Sequence, residues 1–96
     1  MKTFEPREEP SEALADEREA DLLRWIADTG RRISPDGYVS EPLACELCGY
    51  ERSRLAARVA EGLGVPRYHV APSGRRRYKV RDVARWLVFG YHEAGY

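Results

Sequence analysis

The residues in this chain best equipped for chemistry are its arginines. Arg75, Arg76 and Arg77 are consecutive and are followed by Lys79 and Arg81, so seven residues carry five cations with Tyr78 among them. Such a run suits phosphate, because each guanidinium presents a planar fork of donors matched to phosphate oxygens. Charge also protects exposed strand edges from aggregation, but three adjacent arginines exceed that need. A second group, Arg52, Ser53, Arg54 and Arg58, has the spacing of one helix face. Arginine is the commonest reader of guanine edges in the major groove. The competing reading is a solvated face on which Glu51, Arg54, Arg58 and Glu61 pair at i,i+3 and i,i+4. The third group is Cys45-x-x-Cys48, which with His69 and His92 makes a four-ligand inventory for zinc. The cysteines fall in mid-helix, however, and their partners would be distant and irregularly spaced. They read better as small hydrophobes, with Cys45 at a small buried position and Cys48 just before the turn at Gly49. No metal or other cofactor is expected. No paired nucleophile and base, glycine-rich phosphate loop or histidine–acid cluster stands out, so an enzyme is not expected.

The chain that must position these groups has 96 residues, 43% of them hydrophobic and 33% charged, with a formal net charge of zero. That is one small domain with room for a modest core. The longest apolar run, Trp86-Leu87-Val88-Phe89, is far too short to span a membrane. The first residues show no apolar stretch of the signal-peptide kind. Two cysteines cannot staple a secreted mini-protein, and a cytoplasmic location is expected. The zero charge hides an asymmetry: residues 1–30 hold nine acids against four bases, and residues 31–96 hold seven acids against twelve bases. Opposed halves of this kind suggest an anion-binding domain with an acidic appendage, or equally acidic and basic faces that keep the protein in solution.

Residues 1–10, with Pro6 and Pro10, read as a disordered tail. An acidic amphipathic helix occupies the segment 11–33, its helical part running from about Ser11, the N-cap, to Gly30. Ala15, Leu22, Trp25, Ile26 and Ile33 form its apolar stripe. Ser34-Pro35-Asp36-Gly37 is a turn and Tyr38-Val39 a short strand. Ser40 caps a helix with Glu41 and Pro42 in its first turn, which ends at Gly49. The next helix is expected from Glu51 or Arg52 to Glu61, ended by Gly62. A β-hairpin follows, turned by Pro72-Ser73-Gly74. Tyr68, Val70, Tyr78 and Val80 are on its apolar underside, and Arg75, Arg77, Lys79 and Arg81 are on the other. Asp82 is expected to cap the last helix, with Val83, Trp86, Leu87 and Tyr91 inward. The fold class is thus mainly α with a small β-hairpin. The acidic helix is expected to dock on its own chain, with Trp25 against Trp86 and its acids facing solvent.

From Leu43 to Leu87 the sequence resembles the excisionase-like and MerR-like winged helix-turn-helix proteins. The matching pieces are Ala44-Cys45-Glu46-Leu47-Cys48-Gly49-Tyr50, Arg52-Ser53-Arg54-Leu55, Ser73-Gly74-Arg75-Arg76-Arg77-Tyr78 and Arg81-Asp82-Val83-Ala84-Arg85-Trp86-Leu87. They occur in the family's order and near its spacing over about half the chain. Two features depart from the pattern: Glu51 stands where a serine or threonine usually opens the recognition helix, and the N-terminal acidic helix is additional. The resemblance implies a winged helix-turn-helix over 38–96 preceded by that helix. It implies sequence-specific binding of double-stranded DNA, with Arg52, Ser53, Arg54 and Arg58 on the recognition helix and Arg75, Arg76, Arg77 and Lys79 on the wing. The implied roles are those of a phage or mobile-element recombination directionality factor (excisionase), a transcriptional repressor, or a small terminase-type subunit. Self-association on DNA, an integrase, or another phage or host protein are the further partners, and no membrane is. The alternative is a protein-binding phage inhibitor whose acidic helix covers a host nucleic-acid machine. The zero net charge and Glu51 keep this alternative open.

Overall fold

The computed structural model describes residues 10–90. The expected tail, apart from Pro10, and the inward position of Tyr91 lie outside the described residues. The domain is mostly helical with a small three-stranded antiparallel sheet. Helix α1 spans Glu12–Thr29. The Ser11 hydroxyl accepts the Leu14 N–H at 3.1 Å, and Gly30 closes the helix in the left-handed region at φ 67°. Ala15, Leu22 and Ile26 are buried, and α1 packs against the last helix of its own chain. Trp25 is not part of that seam and is 39% exposed. At 3.6 residues per turn it lies about 80° from the middle of the stripe that the other three define. Its ring lies instead under the Arg31 guanidinium at 5.5 Å, so it does not meet Trp86.

The 34–37 turn uses the Ser34 hydroxyl as acceptor for the Tyr38 N–H at 2.9 Å, with Gly37 at φ 91°. It delivers β1, Tyr38–Ser40, directly into α2, Glu41–Cys48. Ser40 caps α2, Pro42 sits where a missing N–H costs little, and Gly49 at φ 77° ends it. Helix α3 is shorter than expected, Arg54–Ala60. Glu51–Ser53 form a turn closed by the Arg54 N–H on the Glu51 carbonyl at 2.9 Å. Ser53 makes no side-chain cap, so Arg52 and Ser53 lie on the turn rather than on the helix.

Strands β2, His69–Val70, and β3, Arg76–Lys79, complete a sheet of order β1-β3-β2. Tyr38 pairs with Lys79, Val39 with Tyr78 and His69 with Arg77. The expected apolar underside is only half present. Tyr78 is fully buried, whereas Tyr68 is 37% and Val70 54% exposed, because β2 is a two-residue strand at the edge of the sheet. Helix α4, Val80–Arg85, starts directly from β3. The N-cap position therefore falls on Lys79, and Asp82 lies in the first turn instead of capping it. The helix continues as a π-helical turn, Trp86–Gly90. One core joins Ile26 of α1, Val39 of β1, Leu43 and Cys45 of α2, Leu55 of α3, Tyr78 of β3 and Val83 of α4. Among the described residues no helix is long and apolar enough to cross a membrane.

Candidate nucleic-acid interface

Strand alternation splits the arginine run. Arg77 and Lys79 are exposed, whereas Arg76 shares the inner parity of Tyr78 and is partly buried. The Arg76 Nε donates to Glu41 Oε2 at 2.6 Å and its terminal nitrogen to Oε1 at 3.1 Å. The Tyr78 hydroxyl donates to the same Oε2 at 2.6 Å. The guanidinium also lies over Tyr68 at 5.8 Å, and Tyr68 meets Tyr78 at 5.7 Å between centroids. Burial opposes ionisation of Glu41, but the bonds from Arg76 and Tyr78 and the Arg76 charge outweigh it and hold its carboxyl below the usual range. The same bond holds the Arg76 proton more tightly, and burial together with Glu41 pushes the Tyr78 hydroxyl up. Arg76 is thus an internal ligand of Glu41, contrary to its expected place among the outward cations. Arg75 is exposed beside the turn, where Gly74 at φ 87° lets its N–H reach the Ala71 carbonyl at 2.8 Å.

The helix pair sorts its cations similarly. Arg58 is 6% exposed. Its Nε donates to the Gly64 carbonyl at 2.7 Å, and its guanidinium lies over Trp86 at 5.8 Å. It ties the loop after α3 to the last helix and is not presented to a ligand, which corrects its expected place on a reading face. Arg52, Ser53 and Arg54 are exposed.

Arg24 pairs with Asp21 one turn away on α1 at 3.0 Å, and three further arginines reach acids on other elements. Arg31 forks onto both oxygens of Glu46. Arg81 reaches Glu12 at 2.9 Å, Glu19 at 3.1 Å and Asp16, while Arg85 pairs with Glu12. Glu12, Asp16 and Glu19 thus reach α4, with Glu12 and Asp16 still exposed to solvent, and Arg81 belongs to that seam and not to the hairpin's outer side. Among the described residues, Arg18, Arg32, Arg52, Arg54, Arg67, Arg75 and Arg77 make no side-chain hydrogen bond or ion pair. The Lys79 ammonium lies over Tyr38 at 5.9 Å.

Cys45 is fully buried and Cys48 half-buried in α2. Burial and the neighbouring Cys45 push the Cys48 thiol up to about 12, which suits packing better than thiolate chemistry. Among the described residues no group of three His, Cys, Asp or Glu side chains converges on a metal position. His69 is exposed on β2, its ring 6.2 Å from that of Tyr38, and His92 lies outside the described residues. Glu41 was missed in the sequence as a functional residue. The parity of Arg76 with Tyr78 was the available sign that this arginine needs an inward acid. No family model, curated protein or solved structure matches this chain.

Proposed function

We propose that the domain binds double-stranded DNA sequence-specifically, with α2 and α3 as a helix-turn-helix and the β2–β3 hairpin as its wing. The sorting of the cations supports this reading. Arg24, Arg31, Arg58, Arg76, Arg81 and Arg85 are engaged by acids of the chain or a carbonyl, while those left unengaged include Arg52 on the turn before α3, Arg54 at the start of α3, and Arg75 and Arg77 on the hairpin. Free guanidinium groups at two such elements match the division between base reading and phosphate contact. The narrower role, an excisionase, a repressor or a terminase-type subunit, rests on the sequence resemblance alone. The protein-binding alternative has less support, because Glu12, Asp16 and Glu19 are occupied by Arg81 and Arg85.

Selection from a random duplex pool, followed by anisotropy titration across a salt series, tests the proposal. An enriched site bound more tightly than scrambled duplex is expected. Arg75→Ala with Arg77→Ala should flatten the log–log salt slope by about 1.8, at roughly 0.9 per phosphate contact. An unchanged slope removes the wing from the interface, and failure to enrich any site overturns sequence-specific binding.

A further inference from the structure

Resting on the DNA-binding reading above, we propose that Glu41 is the positioning residue that fixes the wing against the helix pair and so sets where Arg75 and Arg77 meet phosphate. Backbone pairing with β1 reaches Arg77, opposite Ser40, and beyond it the distal hairpin has little else to hold it. Strand β2 has two residues, and Val70, opposite Arg76, is 54% exposed. Apolar packing thus ends at Tyr78, two residues from the midpoint of the Arg75–Arg77 segment. Beyond Tyr78 the anchor is polar. Both carboxylate oxygens of Glu41 are used, one by two donors, and all three donated hydrogens come from β3. Glu41 is itself held firmly. It is the first residue of α2, between the capping Ser40 and Pro42, at a helix end that favours a negative charge. With Arg76 drawn inward, strand alternation sends its neighbour Arg77 to the opposite face. One carboxylate therefore joins the proposed wing to α2, the first helix of the proposed helix-turn-helix.

Glu41→Gln tests this in the full chain. Its loss of charge weakens the Arg76 clamp with almost no change of volume. Backbone relaxation should show new fast motion at the amides of Arg75, Arg76 and Arg77 while α2 and α3 stay ordered. Affinity for the selected duplex should fall roughly tenfold, the cost of ordering a freed segment on binding. The salt slope should stay unchanged, because the same phosphates are reached once bound. In a background of Arg75→Ala with Arg77→Ala the tenfold effect should vanish, since the residues being positioned are gone. A merely structural role would persist there. Tyr78→Phe, which removes one donor, should give a smaller effect of the same kind and serves if Glu41→Gln does not fold. Wild-type affinity in Glu41→Gln, or an undiminished loss in the double-alanine background, overturns the proposal. If the wild type binds no duplex, the DNA reading fails and this role with it. The relaxation measurement then shows separately whether Glu41 still holds the hairpin.

Discussion

Arginine identity says little here until each side chain's partner is known. Arg54 and Arg58 are one helical turn apart and equivalent in sequence pattern, yet one is exposed and the other 6% exposed beneath Trp86. Arg58→Ala should therefore cost about 1–3 kcal/mol of stability, because it leaves the Gly64 carbonyl without its donor. That lowers Tm by roughly 4–8 °C for each kcal/mol in a domain this size. Arg54→Ala should leave Tm unchanged and cost about 1–3 kcal/mol at a cognate site. Calorimetry beside duplex titration separates the two, and a drop in Tm for Arg54→Ala would contradict its exposure. Helical spacing made both arginines visible in the sequence. It could not show that the chain after Gly62 returns to place a carbonyl over one of them. Acid sensitivity belongs to this scale too. Glu41 titrates below its ordinary value despite burial, because Arg76 and Tyr78 bond its charged form. Its contribution is present above the unfolded-chain value near 4.5 and is lost as pH falls through the depressed one. Urea midpoints should be flat from about pH 7 to 5 and fall below about 4.5, less steeply in Glu41→Gln. Glu12, Asp36 and Glu46 are also held low by their hydrogen-bond partners, so some decline remains in that variant.

Helix caps and glycine stops carried most of the element boundaries into the sequence. Ser11 with Gly30, and Ser40 with Gly49, bracket α1 and α2 as their chemistry requires. The start of α3 was harder to see, because Glu51 and Ser53 supply no cap and a turn takes up the first residues. The apolar stripe of α1 was also overdrawn by one residue. Size made Trp25 look like the anchor, but its angular position puts it beside the seam under Arg31. Ile26, 2% exposed, carries the seam instead. Ile26→Ala is expected to cost about 2–5 kcal/mol, and Trp25→Ala less, because Trp25 stays 39% exposed outside the seam. Denaturant unfolding of both variants checks this, and the reverse ranking would mean that α1 packs by another face. Removing residues 1–32 strips the seam of Ala15, Leu22 and Ile26 together, and Tm should drop by far more than for any single substitution.

At the scale of the whole molecule, the zero net charge arises from pairing across the fold as well as from opposed halves of the sequence. Counting showed the halves, but the pairing of α1 acids with Arg81 and Arg85 needs the packing of α1 on α4, which no count reveals. The sheet could be only partly anticipated for a related reason. A hairpin is local and leaves turn signals, whereas the pairing of β1 with β3 joins Tyr38 to Lys79 across both central helices. That third strand has a kinetic consequence. The α2–α3 pair and the β2–β3 turn close short loops, but β1 can find β3 only after everything between them has been drawn in, and long closures are entropically late. Refolding should therefore nucleate on the helices, with the sheet zipping after the rate-limiting barrier. Val39→Ala, on β1 opposite Tyr78, should speed unfolding in stopped-flow chevrons and barely slow folding, giving a φ-value below about 0.3. The far end of β3 is paired on one side only by the two-residue β2, so the segment bearing Arg75 and Arg77 should exchange its amide hydrogens through local fluctuations well before the helical body yields.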